Sequence, residues 1–141
     1  MSAGVERAEG EAETLTAAAF AVMQRAYAPY SGFRVGAVLH ASDGTAYAGC
    51  NVENSAFPAG ICAERAALSA AIAAGRRVFT TLVVATEATV PTPPCGICRQ
   101  ALVEFSSELS IVSVTTGGGR AQWRLSELLP APFTPASLSH T

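Results

Sequence analysis

Two short cysteine motifs constrain this chain more than any other feature. Cys62 is followed two residues later by Glu64, and Cys95 and Cys98 form a Cys-X-X-Cys pair directly after a proline. The pair has the spacing of zinc ligands, and a catalytic zinc ion takes three protein ligands and leaves a fourth position for water. A carboxylate close to that position can carry protons. The motifs therefore predict one zinc ion per chain, held by Cys62, Cys95 and Cys98, with Glu64 as the catalytic residue.

The same residues have other interpretations. Cys50 could be the fourth ligand of a structural zinc site, although periodicity places it in a strand, where a small buried thiol is common. Glu64 could be a first-turn carboxylate that the helix dipole favours by about 0.3–1 kcal/mol. His40 and His140 have no ligand spacing and are expected on the surface.

Composition and charge limit the classes of protein to which the chain can belong. Its 141 residues predict a single domain over residues 14–141, after a flexible N-terminal tail over residues 1–13. A formal charge of −2 without a Lys or Arg cluster argues against a nucleic-acid partner. No apolar run reaches the roughly 20 residues that span a bilayer, and no secretory signal is visible, so a cytoplasmic location is expected. The hydrophobic fraction of 50% indicates that partner subunits cover part of the surface.

Apolar periodicity predicts alternating helices and strands. Helices are expected over residues 14–27, 62–74 and 95–105. Strands are expected over residues 33–41, 46–50, 81–85, 111–115 and 121–125. The first two strands form a hairpin, the third is apolar throughout and central, and the last two pair antiparallel because the gap between them cannot hold a crossover helix. The predicted fold class is α/β: a three-layer α/β/α sandwich on a mixed five-stranded sheet with an antiparallel last strand, and both cysteine motifs at helix N-termini.

The cysteine motifs belong to a longer set of matching stretches, which are Tyr30-Ser31-Gly32-Phe33-Arg34-Val35-Gly36-Ala37, Gly49-Cys50-Asn51-Val52-Glu53-Asn54, Gly60-Ile61-Cys62-Ala63-Glu64-Arg65, Pro94-Cys95-Gly96-Ile97-Cys98-Arg99-Gln100 and Leu128-Leu129-Pro130. With them, the chain resembles the family of small, zinc-dependent cytidine deaminases over about residues 14–138. Zinc deaminases carry a His or Cys ligand two residues before a Glu, followed by Pro-Cys-X-X-Cys. The resemblance implies a cytidine deaminase-like domain that forms a homotetramer whose sites are shared between subunits.

The resemblance also implies roles for residues outside the cysteine motifs. Phe33, Asn51 and Glu53 would hold the nucleoside, and Phe133 would pack over the pyrimidine bound to a neighbouring subunit. Each has a plainer alternative. Phe33 could belong to the core at the start of its strand, and Asn51 and Glu53 could be turn residues on a solvated loop. Phe133 could extend from a polar tail without any contact.

Two further positions, Phe57 and Ala63, are expected to bind substrate, and a third, Arg34, departs from the family. Phe57 is counted among the substrate-binding residues, but it stands where many members of the family carry Tyr and has no hydroxyl for the ribose. Arg34 stands where many members carry Pro. The backbone N–H of Ala63, at the start of a helix, could donate to the pyrimidine O2.

The expected activity is hydrolytic deamination of cytidine and 2′-deoxycytidine to uridine and 2′-deoxyuridine with release of ammonia, a reaction of pyrimidine salvage. A zinc-activated water would attack C4, while Glu64 passes a proton to ring N3 and later to the departing amine. One alternative is a deaminase of a cytosine-containing antibiotic such as blasticidin S, against which the ribose-binding carboxylate of Glu53 would have no role. Another is a catalytically silent scaffold that zinc stabilises. The partner is therefore expected to be a small nucleoside, with no nucleic acid and no membrane.

Charge around the predicted metal leads to a hypothesis about Arg65. Three thiolates on Zn²⁺ leave one net negative charge, and ionised Glu64 adds a second. Arg65 follows Glu64 directly and is the cation closest in sequence that could hydrogen-bond a ligand sulfur. We expect it to offset this negative charge and to tune the pH dependence of the site. An Arg65 on the outer face of the helix would leave that pH dependence unchanged.

Overall fold

The computed structural model describes residues 3–139, and the side chains from residue 10 onward. The surface position predicted for His140 lies outside the described residues, as do residues 1 and 2 of the predicted tail. His40 is half-buried rather than exposed, and its Nδ1 lies 3.1 Å from Thr80 Oγ1.

Five strands form one mixed sheet in the order β2-β1-β3-β4-β5. They are β1 (Val35–Ala41), β2 (Ala46–Cys50), β3 (Phe79–Thr86), β4 (Ser110–Thr115) and β5 (Arg120–Arg124). β3 and β4 are parallel, and the other neighbouring pairs are antiparallel. The predicted hairpin, the central apolar strand and the antiparallel last strand are confirmed. β5 is shifted by one residue from the prediction because Leu125 already begins a helix, and its N–H donates to the Leu109 carbonyl at 2.9 Å.

The helices that accompany the sheet in the described part of the chain are α1 (Ala3–Met23), α2 (Ala63–Ala73), α3 (Gly96–Val103) and α4 (Leu125–Leu128). Single 3-10 turns span Phe57–Ala59 and Pro135–Leu138. No helix in residues 3–139 is long and apolar enough to cross a membrane.

The predicted bounds of the first helix are wrong at both ends. The helix begins at Ala3 instead of Thr14, because Ala- and Glu-rich sequence forms helix readily even where no apolar face marks it. It ends at Met23 instead of Tyr27. The Tyr27 N–H donates to the Asn51 carbonyl at 3.0 Å, which draws this segment out of the helix and alongside the loop that follows β2.

Helices cover both faces of the sheet, as a three-layer sandwich requires. On one face, Leu15, Ala19 and Met23 of α1 pack against buried valines of the central strands. On the other face, α2 and α3 enclose a larger core that includes Leu39, Leu82, Leu102 and Ile111.

One close contact fixes the helix that carries Glu64. Gly49 of β2 lies directly under α2, and a Cβ built on it would lie 2.4 Å from Ala67 N and 2.7 Å from Ala63 O. Since no side chain can occupy that space, α2 lies on the backbone of the hairpin. The first turn of α2 is thereby held at the end of β2, next to the loop that follows Cys50.

Candidate metal centre and pocket

Three thiols meet where α2 and α3 begin. Cys62 is the N-cap of α2 and Cys95 is the N-cap of α3, while Cys98 lies in the first turn of α3. The three Sγ atoms all lie within 4.8 Å of one another. Two motifs that are 33 residues apart in sequence are therefore brought together, as predicted. Cys50 is not part of this group, so a fourth thiol ligand from β2 does not fit the geometry.

The spacing of the sulfurs suits zinc. A tetrahedral zinc ion with Zn–S bonds near 2.3 Å holds its sulfurs about 3.8 Å apart. The Sγ atoms of Cys62 and Cys95 are 3.8 Å apart, and all four cysteines in the chain are free. Three converging thiols, joined by no fourth ligand within residues 3–139, form the donor set of an open zinc site.

The environment affects the three thiols differently. Burial strongly raises the pKa of Cys98, which keeps this thiol protonated until a metal displaces the proton. Burial also raises the pKa of Cys62. At Cys95, burial acts in the same direction, but hydrogen bonds from the backbone N–H groups of Cys98 and Ile97 and from the neighbouring thiols outweigh it and lower the pKa. The start of α3 thus already favours a thiolate at Cys95.

Arg65 faces the thiols. Its Nη2 donates to Cys62 Sγ at 3.7 Å, and interactions with Cys62 and Cys98 raise the pKa of its guanidinium. Its Nε is buried and has no hydrogen-bond partner among the described residues. A buried donor beside the thiols is suited to a site that becomes anionic when metal binds. The predicted contact between Arg65 and the sulfur of Cys62 is confirmed, and the alternative position on the outer face of α2 is wrong.

Glu64 is a buried acid beside the metal centre. Only 5% of its surface is exposed, and burial raises its pKa. Its own backbone N–H, the Cys98 thiol and the Arg65 guanidinium act in the opposite direction but are outweighed. A buried carboxyl group with a raised pKa beside a cluster of thiols is a candidate for proton transfer.

A pocket of about 610 Å³ opens above the thiols. This volume lies within the usual range for small-molecule sites. The predicted substrate-binding residues that line it are Phe33, Asn51, Glu53, Phe57 and Ala63, together with Cys62, Glu64, Arg65 and Cys95. Most of the predicted site residues therefore line one continuous cavity. Phe133 and Arg34 are not among its lining residues.

Asn51 holds the pocket end of β1 in place. Its Oδ1 accepts the Val35 N–H and its Nδ2 donates to the Phe33 carbonyl, both at 2.8 Å. The side chain thus continues the hydrogen bonding of the sheet past the end of β1. Phe33 is 40% exposed and lines the pocket, so its placement in the core is wrong.

Glu53 organises the loop before β1. One carboxylate oxygen accepts the N–H groups of Tyr30 and Ser31 at 3.0 and 3.1 Å, and the other accepts the Ser31 hydroxyl. The bond from the Ser31 hydroxyl, with those from the backbone, lowers the pKa of Glu53. The Ser31 Oγ also accepts the Phe33 N–H at 3.0 Å. Sequence reasoning missed this role of Ser31, although its position two residues before Phe33 is typical of such a hydroxyl turn.

Comparisons with known proteins agree with this geometry. Residues 9–114 match the family described as the cytidine and deoxycytidylate deaminase zinc-binding region. This chain belongs to that family. A cytidine deaminase of Sporosarcina psychrophila is 40% identical over 131 residues, covering 92% of this chain and 96% of the relative.

Solved structures of cytidine deaminases share the fold of this family member. The Burkholderia pseudomallei enzyme superposes with a TM-score of 0.83 at 42% identity, covering 86% of this chain and 98% of the other. The Mycobacterium tuberculosis enzyme gives a TM-score of 0.74 at 36% identity, with 86% and 95% covered. The α/β fold predicted from the sequence is confirmed.

Arg34 and Phe57, at whose positions the resemblance leads us to expect Pro and Tyr in many relatives, each contact other side chains. Arg34 forms an ion pair with Glu87, and its guanidinium also donates to Gln24 at 3.1 Å. It thereby joins the end of α1 to the end of β3. Phe57 is 78% exposed at the pocket mouth and contacts the Tyr30 ring edge-to-face, with centroids 6.2 Å apart.

Arg99 and Gln100, which directly follow the Cys-X-X-Cys pair, hold the neighbouring backbone segments in place. Arg99 Nε donates to the Pro94 carbonyl at 2.7 Å, and its Nη1 donates to the Leu128 carbonyl at 3.0 Å. Gln100 Nε2 donates to the Phe133 carbonyl at 2.8 Å. The C-terminal segment is therefore attached to α3 beside the metal centre. The Phe133 ring remains 58% exposed.

Proposed function

We propose that this chain catalyses the zinc-dependent hydrolytic deamination of cytidine and 2′-deoxycytidine to the corresponding uracil nucleosides, with release of ammonia. The observation that carries the proposal is the buried Glu64 beside three converging thiols at the base of a pocket. Membership of a zinc-binding deaminase family and likeness to cytidine deaminases over most of the chain support it.

Cys62, Cys95 and Cys98 would hold one zinc ion per chain through their thiolates. When bound, zinc lowers the pKa of a water molecule and so supplies a nucleophile near neutral pH. Arg65 would offset the negative charge of the thiolates through its contact with Cys62. Cys50 would remain a free thiol.

Glu64 would move the protons of the reaction. Its carboxylate accepts a proton from the attacking water and delivers it to N3 of cytosine, which makes C4 more electrophilic. It then carries a second proton to the exocyclic amine, so that the C4–N bond breaks and ammonia leaves. Burial supports this role because it raises the pKa of Glu64 towards the working pH, where a group serves well as both base and acid.

Phe33, Asn51 and Glu53 would bind the nucleoside. The Phe33 ring offers an apolar wall for the pyrimidine or the sugar. One Asn51 N–H is bonded to Phe33, which leaves the other for a ribose hydroxyl. One Glu53 oxygen already accepts two N–H groups, while the other accepts the Ser31 hydroxyl and can accept a further donor from the ribose.

Ala63 and Phe57 would complete the substrate contacts. The Ala63 N–H lies in the first turn of α2, where backbone donors have no partner within the helix, and it would donate to the pyrimidine O2. Phe57 would close the mouth of the pocket by apolar contact alone, since it has no hydroxyl.

We also propose that residues 14–141 act as one deaminase domain in a cytoplasmic homotetramer of pyrimidine salvage. Exposed apolar side chains around the pocket, Phe57 and Tyr30 among them, support burial by neighbouring subunits. Phe133 would reach the pyrimidine in a neighbouring site. The four free cysteines support a reducing compartment.

A direct assay tests the activity. Purified protein is mixed with cytidine, 2′-deoxycytidine or blasticidin S, and the loss of cytosine absorbance is followed together with ammonia release. The two nucleosides should be consumed and the antibiotic should not. Turnover of blasticidin S alone would replace the proposed substrate, and no turnover by zinc-replete protein would favour the silent scaffold, which the comparisons do not support.

Metal analysis of the same sample tests the ligand set. One zinc ion per chain and one thiol that reacts without unfolding are expected, since Cys50 lies outside the thiol group. Two zinc ions per chain, or none after zinc-replete purification, would contradict the site.

A further inference from the structure

The glycine-rich turn between β4 and β5 is built around Thr115. The Thr115 N–H donates to the Gly119 carbonyl at 2.9 Å, and the Thr115 Oγ1 accepts the Gly119 N–H at 2.8 Å. Thr115 is 3% exposed, so the turn is anchored to the sheet by a buried residue. Gly119 is consequently fixed in place.

Gly119 lies against the loop that leads to the metal centre. A Cβ built on Gly119 would lie 3.3 and 3.4 Å from Cδ and Cγ of Pro91, and 2.9 Å from Thr115 Oγ1. The bare backbone of Gly119 is thus the surface on which Pro91 packs. A second contact joins the turn to the residue after which this loop begins. The Thr116 N–H donates to the carbonyl of Thr86, the last residue of β3, at 3.1 Å.

The loop from Pro91 to Cys95 is stiff. Its sequence is Pro-Thr-Pro-Pro-Cys, so three of the four residues before the Cys95 ligand have a fixed φ and no backbone N–H. Packing rather than backbone donors must therefore place it. Thr92 and Pro93 line the pocket, and at the far end the Pro94 carbonyl accepts the Arg99 guanidinium. A shift of Pro91 would be transmitted to the pocket wall and to Cys95.

We propose that Gly119 is a positioning residue for the metal centre. Because it has no side chain, Pro91 can approach the turn, and the proline-rich loop then delivers Cys95 and the adjoining pocket wall at the right place. This inference rests on the proposed function, since it takes Cys95 as a zinc ligand. Gly119 lies outside the pocket lining and the thiol group, so its effect on the site would pass through its contact with Pro91.

The test replaces Gly119 by Ala and uses Gly117→Ala as the matched control. Neither glycine has the positive φ that would strain an alanine, and a Cβ on Gly117 meets only Thr115 Oγ1, at 4.0 Å. Zinc release to a chromogenic chelator should be roughly tenfold faster in Gly119→Ala, the size of effect seen when a group that supports a metal ligand is disturbed. KM for cytidine should rise as well. Gly117→Ala should behave as wild type in both measurements.

A second pair of variants shows whether the effect passes through Pro91. Pro91→Ala removes the ring atoms that Gly119→Ala would contact, so adding Gly119→Ala to Pro91→Ala should change zinc release less than twofold. The same tenfold change in both backgrounds would overturn the inference, as would a Gly119→Ala protein that matches Gly117→Ala. Thermal unfolding of each zinc-loaded variant shows whether the whole fold is weakened. If Gly119→Ala weakens it, the comparison of the wild-type and Pro91→Ala backgrounds still decides whether the effect passes through Pro91. If the wild-type protein itself bound no zinc or did not turn over cytidine, the proposed function would be overturned together with this inference.

Discussion

At the scale of single residues, the site contains a carboxyl group, Glu64, that is buried but still interacts with polar and charged neighbours. Burial raises the pKa of Glu64, while its own N–H, Cys98 and Arg65 favour the carboxylate. A carboxyl group that water alone surrounded would be ionised at neutral pH and a weak acid catalyst. These opposing influences fit the proposed role, in which Glu64 takes up and releases a proton during one turnover.

Glu64→Gln tests this role. The amide keeps the shape of the side chain but cannot carry a proton, so turnover of cytidine should fall by at least roughly 10²–10⁴-fold. Zinc content should stay at one per chain because Glu64 is not among the three thiol ligands. Steady-state kinetics and metal analysis on the same preparation check both statements. Wild-type turnover by the zinc-loaded variant would exclude Glu64 as the proton carrier.

Arg65→Ala should move the acidic limb of the pH profile of kcat/KM upward by on the order of one unit. The Arg65 guanidinium lowers the pKa of Glu64, although burial outweighs it. Without Arg65 that pKa rises further, so Glu64 stays protonated to a higher pH and cannot act as a base there. Arg65→Gln should lie between the two, since it keeps a donor without the charge. An unchanged profile with zinc retained would remove Arg65 from the mechanism.

The site residues that could be predicted from the sequence are those that short motifs of fixed spacing identify. Cys95 and Cys98 are three apart, and Cys62 and Glu64 are two apart at a helix start, so these short motifs predicted a shared site, and the structure brings the four side chains together. The double hydrogen bonding of Asn51 and the link from Ser31 to both Glu53 and Phe33 could not be predicted. They depend on how the loop before β1 meets the loop after β2, which periodicity does not encode.

At the scale of elements, each cysteine motif lies at the start of a helix. The N-cap residues, Cys62 and Cys95, have an extended backbone, and their side chains line the pocket. Gly60 and Pro94, which precede the two helices closely, mark these starts in the sequence. The start of α1 has no such signal. Its extension from Ala3 to Glu13 has helix-forming residues but no apolar stripe, and periodicity alone therefore missed it.

Two glycine substitutions test α1. Gly10 is exposed in the helix with nothing within 4 Å of a Cβ, so Gly10→Ala should raise helical circular dichroism and stability by up to about 1 kcal/mol. Gly36 lies under α1, where a Cβ would be 2.0 Å from Ala19 O, so Gly36→Ala should cost roughly 1–3 kcal/mol or more. Chemical denaturation measures both. If Gly10→Ala changed neither signal, residues before Thr14 would not form a stable helix in solution.

At the scale of the whole molecule, the pocket is bordered by large apolar side chains that the chain leaves in solvent. Phe57 is 78% exposed, Tyr30 54% and Val52 45%, and all three line the pocket. Groups of this kind near one opening are typical of a surface that another subunit covers. The excess of apolar residues was visible in the composition, but their placement around one opening depends on the order of the strands and could not be predicted.

Cutting the chain after Pro130 tests whether the C-terminal segment contributes to a neighbouring site. The cut removes Phe133 and the bond from Gln100 to its carbonyl, but none of the buried core residues. The fold should remain, whereas KM for cytidine should rise roughly fivefold or more, because stacking on a base is worth about 1–3 kcal/mol.

Point variants of the full chain separate the ring from the rest of the segment. Phe133→Ala should reproduce most of the increase in KM, and Leu138→Ala, which removes a similarly exposed apolar side chain, should not. Sedimentation of each protein shows whether assembly is retained. In a mixture of Phe133→Ala and Glu64→Gln subunits, a ring that crosses between subunits restores low-KM sites by pairing an intact Glu64 with a neighbour's Phe133. A ring that serves its own subunit cannot do so. A truncated protein that assembles and keeps its KM would show that the segment does not contribute to binding.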